Sequence, residues 1–108
     1  MKYLVSGTAG PGFASPEEAL QVLEGVILPS FDILIKLESA GTITGGFPVG
    51  DRAFVFVAEA ASNEALDELL RSLPMWGSLD WEVTPLQSFE GRASMERKAV
   101  GQMKAAGA

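Results

Sequence analysis

The chain has no cysteine and no histidine in its 108 residues. The first absence excludes disulfides, thiolate metal sites and a cysteine nucleophile. The second removes the usual general base near neutral pH and the commonest metal ligand. Acid–base chemistry therefore falls to carboxylates, lysine, tyrosine or bound water, and tyrosine occurs once, at Tyr3. Positive charge is scarce, with eight Lys and Arg against fourteen Asp and Glu. That balance argues against a nucleic-acid partner, because phosphate binding needs clustered cations. No run of about eighteen apolar residues exists, so no membrane span is expected. The apolar run before Ser6 is too short for a signal peptide, and a cytoplasmic location is the expectation. "GTAGPGFASP", residues 7–16, has glycines but no lysine and no strand–loop–helix fingerprint for a nucleotide. Neither a cofactor nor a metal is expected.

What is present suits a single domain with one core. The apolar fraction is 47% and the charged fraction 20%, an ordinary globular balance. Charge is uneven along the chain. Residues 1–89 carry twelve acidic and four basic side chains, a balance of −8, whereas residues 90–108 carry two and four, a balance of +2. Residues 1–89 read as the folded domain. Residues 90–108 read as a C-terminal tail with one helical turn or more near Met95, expected to cross onto a neighbouring subunit.

Residues 2–8, "KYLVSGT", are strand formers running into a glycine and proline cluster. "SPEEALQVLEG" opens a helix, with Ser15 as cap, Pro16 at the first helical position and Glu18 completing a capping box. Leu20, Leu23, Ile27, Phe31, Leu34 and Leu37 recur at helical spacing. Pro29 removes a backbone donor and should kink or break the helix near Leu28, and Gly41 is a natural stop. Val22, Val26, Leu28, Ile33 and Ile35 lie off the main stripe. A helix in a two-layer domain buries only one face, so this pattern points to a second face covered by another subunit.

"TITGGFPVG" and "RAFVFVAEA" read as two strands joined by a turn at Gly50 and Asp51. Gly45 and Gly46 mark a bulge or a close approach by another group. "SNEALDELLRSL" is a second helix, capped by Ser62 and stopped at Pro74. "SLDWEVTPLQSF" alternates with period two, with Leu79, Trp81 and Val83 on one face and Asp80, Glu82 and Thr84 on the other. Pro85 puts its end at a sheet edge or a bulge. The order β-α-β-β-α-β gives an α+β, ferredoxin-like antiparallel sheet with both helices on one face. Val5, Phe54, Phe56, Trp81 and their alternates exceed what two helices can cover. Two sheets packed face to face, a dimeric α/β barrel, would cover the remainder.

"LESAGTI" and "EALDELLRSLPMWGSLDWEVTPL" together resemble the muconolactone isomerase family. The resemblance spans residues 31–86 and rests on Gly41 and Thr42 at a helix end, then Glu64, Ala65 and Leu66. Leu73 and Pro74 follow, and Glu82 and Val83 lie in the last strand. It implies ferredoxin-like subunits in ring-like homo-oligomers that shift a proton within a small unsaturated lactone, without a cofactor.

Such an isomerisation needs a group that removes a carbon-bound proton and returns it. Asp32 and Lys36, four apart in the apolar helix, are the candidate catalytic pair, expected to reach a pocket between helix and sheet. Arg52 could hold an anionic group. Tyr3, Ser6, Thr8 and Thr44 could line a cleft, and Trp76 and Trp81 could wall it. The partners expected are other copies of the chain, as a homodimer or larger homo-oligomer, and a small organic acid or lactone. The alternative function is a non-catalytic oligomeric small-molecule-binding module on the same fold.

Overall fold

The computed structural model describes residues 1–10 and 12–107. Its sheet has four antiparallel strands: β1 (Lys2–Ala9), β2 (Ile43–Gly46), β3 (Ala53–Glu59) and β4 (Leu79–Leu86). They lie in the order β2-β3-β1-β4, the ferredoxin-like arrangement expected from the sequence. Register separates the two faces. Val5 pairs with Phe56 and Val83, and Gly7 with Phe54 and Trp81, all on the face under the helices. Leu4 pairs with Val57 and Thr84, and Ser6 with Val55 and Glu82, all on the other face.

The core sits between the helices and the first of these faces. Tyr3, Val5, Ile43, Phe54, Phe56 and Ala58 supply it from the sheet, and Leu66, Leu70, Leu73 and Met75 from α3 (Asn63–Arg71) and the turn after it. Gly7 is part of this packing, because a Cβ there would stand 2.6 Å from the Phe54 ring. None of the described residues covers the opposite face, where Leu4 is exposed and Val55 and Val57 are half-buried. The run "RAFVFVA", with no charge after Arg52, predicts a central strand covered on both faces; within one chain β3 is covered on one side only.

The first helical segment runs from Pro16 to Ser39 without a split, as α1 (Pro16–Val22), a wide π-helical turn (Leu23–Ile27) and α2 (Leu28–Ser39). Ser15 caps it as expected, its hydroxyl accepting from the Glu18 N–H at 3.1 Å. The Glu18 carboxylate accepts from the Ala14 N–H at 2.7 Å, one residue ahead of the capping-box position. Pro29 does not break the helix. A proline ring collides with the carbonyl four residues back, here that of Gly25, which lies inside the widened turn. The irregularity therefore falls one turn before the proline, where the Leu28 N–H bonds to Leu23 rather than to Glu24. Leu20, Leu23, Leu28 and Ile35 remain exposed on this segment.

The tail is helical over almost its whole length. Residues Phe89–Ala105 form a fourth helix, α4, capped by the Ser88 hydroxyl, and none of its residues is buried. It stands out from the body. The radius of gyration is 19.2 Å, against about 13 Å for a compact chain of this length, and the long axis spans 70 Å.

One polar residue, Ser30, is fully buried. Its hydroxyl donates to the Val26 carbonyl at 2.8 Å and accepts from the Met75 N–H at 3.0 Å. This single group ties α2 to the turn between α3 and β4. Ser30→Ala leaves the Met75 N–H buried without a partner, and the loss should be about 1–3 kcal/mol. Chemical denaturation would measure it, and an unchanged midpoint would show that the tie is dispensable.

Candidate functional site

Two cavities flank the sheet on its helix side. The first, an apolar groove of about 250 Å³, lies between α2 and the β2–β3 edge. Its walls are the rings of Phe31, Phe47, Phe54 and Phe56, with Leu34, Ile35 and Ile43. The rings form a continuous series: Phe31 meets Phe47 edge-on at 5.3 Å, Phe47 meets Phe54 at 5.6 Å, and Phe54 stacks on Phe56 at 5.9 Å. Such offset and tilted contacts are the favoured geometries for aromatic pairs. The floor opens because β2 ends in two glycines. A Cβ on Gly45 would fall 2.1 Å from the Val55 carbonyl oxygen, so only glycine lets the edge strand lie this close. This is the close approach expected at Gly45, and the pairing there is regular, without a bulge.

Glu38 is the one ionisable residue lining the groove. Its place follows from helix geometry. Ile27, Phe31, Leu34 and Glu38 succeed one another at spacings of four, three and four, so all four share one side of the helix. The sequence carried this signal as a carboxylate standing on the apolar stripe.

The second cavity, about 280 Å³, lies between α3 and the β1–β4 side of the sheet. Tyr3, Asn63, Asp67, Leu66, Val83 and Pro85 line it. The Tyr3 hydroxyl donates to the Asn63 side-chain oxygen, and Asp67 pairs with Arg71 at 2.8 Å. Its polar groups therefore already hold partners within the chain.

The residues singled out in the sequence are dispersed. Asp32 and Lys36 are exposed and line neither cavity. At 100° per residue each lies about 160° from Leu34, on the side of α2 away from the sheet, so the expectation that they reach a pocket is not met within one chain. Among the described residues no ion pair joins them. Arg52 is exposed at the start of β3, away from both cavities, with its guanidinium beside Gly12. Ser6 and Thr44 belong to the uncovered sheet face, where Thr44 lies opposite Val57, and Thr8 belongs there too. Tyr3 alone lines a cavity, and it is 2% exposed.

The tryptophans have structural roles. The Trp81 indole N–H donates to the Trp76 carbonyl at 3.0 Å, and Trp81 meets Phe54 edge-on at 5.6 Å. The Arg71 guanidinium stacks 4.3 Å from the centre of the Trp76 ring, a cation–π contact. Together these fix the turn from α3 into β4, and neither tryptophan lines a cavity. Among the described residues no group of three acidic residues is placed to hold a metal ion. No helix there is long and apolar enough to cross a membrane.

Comparison with known proteins agrees with this architecture. A search of curated proteins finds no match. A crystal structure of muconolactone isomerase superposes with a TM-score of 0.66 at 27% identity, over 82% of this chain and 90% of that one. The family model for muconolactone delta-isomerase matches residues 15–92. The match takes in the first helical segment, the sheet from β2 onward and α3, and stops within the first turn of α4. The chain belongs to the muconolactone delta-isomerase family.

Proposed function

We propose that the chain catalyses a proton-transfer isomerisation of a small unsaturated lactone or related organic acid, with the aromatic groove as the binding site. The observation that carries this reading is one carboxylate, Glu38, facing a groove otherwise walled by apolar side chains. Family membership supports the reaction class. A volume of about 250 Å³ falls just below the range usual for drug-sized ligands, so it suits a single small ring. Phenylalanine walls offer a flat unsaturated ring stacking surfaces and few competing hydrogen bonds.

The chemistry balances within the substrate. The Glu38 carboxylate accepts a proton from a carbon acidified by the conjugated carbonyl, the double bond moves along the ring, and the same proton or one from water returns at the far carbon. No electrons leave the substrate and no co-reactant is consumed. Base catalysis of this kind contributes ~10²–10⁴-fold. The readout is deuterium uptake at carbon from heavy water, followed by proton NMR with an unsaturated lactone as substrate. Glu38→Gln should lower exchange by about two orders of magnitude or more, with ring binding retained. Full exchange in Glu38→Gln, together with its loss in Asp32→Asn, would move the base to Asp32 and require a partner subunit to bring that residue to the substrate.

A second reading keeps the groove as a binding site without catalysis. It is favoured by the lack of a second titratable group among the described lining residues, since proton return must then use Glu38 or water. Tight binding of the lactone with no exchange above background would select it.

We also propose that the working form is a homodimer or larger homo-oligomer built on the uncovered sheet face. Leu4, Val55 and Val57 form the apolar centre of that face, with Ser6, Thr8, Thr44, Glu82 and Thr84 around them. Val57→Lys places an unpaired charge at the centre. It should give a folded single chain in sedimentation at micromolar concentration, where the parent chain sediments as two or more. A parent chain that sediments alone would remove the basis for the barrel.

A further inference from the structure

We infer that α4 is an arm that docks on a second copy of this chain and closes that copy's aromatic groove. Three observations lead there. The first is that α4 cannot hold itself. At 17 residues it is only slightly longer than the ~12–15 residues below which isolated helices are marginal in water, and Gly91 and Gly101 cost roughly 1 kcal/mol each relative to alanine. A helix of this composition that buries nothing in its own chain needs a surface to pack on.

The second is its surface chemistry. At 100° per residue Phe89, Ala93, Val100 and Met103 fall within about 40° of one line along the helix. Phe89 is 96% exposed. Glu96 lies in this stripe and is held by Arg92 at 2.9 Å, while Arg97 holds Glu90 at 3.5 Å. Lys104 flanks the stripe and, among the described residues, has no carboxylate partner. Glu38 at the groove is likewise without a cation, and Ile35 and Phe47 leave apolar surface exposed beside it. An apolar stripe with a free cation fits an apolar groove with a free carboxylate. The overall charges agree, since a segment of +2 meets a body of −8.

The third is position. The connection Gln87–Ser88 fixes α4 to the end of β4, at the sheet edge opposite β2 and the groove. Its own groove is three strand spacings away, about 14 Å, and the helix points outward. In two sheets packed face to face about a two-fold axis parallel to the strands, β4 of each copy lies over β2 of the other. The arm then enters beside the neighbour's groove, with Lys104 available to Glu38 and to an anionic group on a bound acid. This inference rests on the face-to-face pairing proposed above and is independent of whether the site is catalytic.

The natural lack of cysteine makes the test direct. Leu4→Cys reports sheet pairing by reaction with a short flexible bis-maleimide between identical chains, since facing sheets about 10 Å apart lie beyond direct disulfide reach. An equimolar mixture of Ile35→Cys and Met103→Cys chains reports arm docking, and a mixed disulfide at twice the chain mass is expected, formed faster than either self-disulfide. Lys104→Glu in the Met103→Cys chain should slow that mixed disulfide at least several-fold, while the same change added to the Leu4→Cys chain should leave its cross-link unchanged. If Leu4→Cys chains cross-link and the mixture does not, the arm proposal fails while the pairing stands. If neither cross-links, the pairing fails and the arm with it. An intrachain disulfide at high dilution in the chain carrying both Ile35→Cys and Met103→Cys would also overturn it, since the arm would then fold back on its own groove.

Discussion

Two helical segments can cover one face of a four-stranded sheet and no more, and the rest of this structure follows from that limit. The residues on the covered face are the large ones: Phe54, Phe56, Trp81 and Tyr3, with Val5 between them. On the other face the side chains shrink and mix, with Ser6, Thr8, Thr44 and Thr84 around Leu4, Val55 and Val57. A solvent-facing antiparallel sheet normally alternates apolar-in with polar-out. β3 does not, because Val55 and Val57 face outward from a strand whose inward residues are Phe54, Phe56 and Ala58. Burial of outward valines is worth on the order of 1.5–3 kcal/mol each if a neighbour covers them fully, which is why a second sheet is the natural occupant.

The same limit makes the groove. The long helix crosses the sheet toward β2, whose four residues end in two glycines, so the edge strand presents little side chain to fill the space beneath α2. Packing density in proteins leaves few voids larger than a water molecule. A gap of this size therefore survives only because its walls cannot collapse. Phe31, Phe47, Phe54 and Phe56 brace one another ring to ring, and the Ser30 hydroxyl pins α2 at the turn beyond α3. Closing the groove would mean breaking one of those contacts.

Much of this was legible in the sequence. The capping residues Ser15 and Ser62, the period-two strand from Leu79 to Val83 and the glycines at β2 each act locally, through one or two bonds or one steric contact, and local rules read them correctly. Three things escaped. The effect of Pro29 was displaced by one turn, because the backbone relieved the ring clash by widening at Leu23–Ile27 instead of breaking. Helix α4 has no strong stripe and two glycines, so its pattern pointed to a turn or more near Met95 and left the full seventeen residues unread. Asp32 and Lys36 drew attention as charges in an apolar segment, yet they are the ordinary outward residues of that helix. The residue out of place is Glu38, and its misplacement shows only when the stripe is followed one step past Leu34.

A base at a groove mouth is of limited use while water reaches it. Electrostatic interactions gain strength when a site is closed, and closure also protects reactive intermediates. In the single chain Glu38 is exposed. The four cations of residues 90–108 equal in number those of the other eighty-nine residues together, and they are carried on a helix that reaches beyond the body. Half of the positive charge has thus been separated from the acidic surface it would otherwise neutralise within the chain. At physiological ionic strength exposed charges are screened beyond about 8 Å, so such a separation has an effect only where the arm makes contact. In the proposed arrangement the acidic body, the cationic arm and the open carboxylate groove complement one another between two copies of the chain, and not within one.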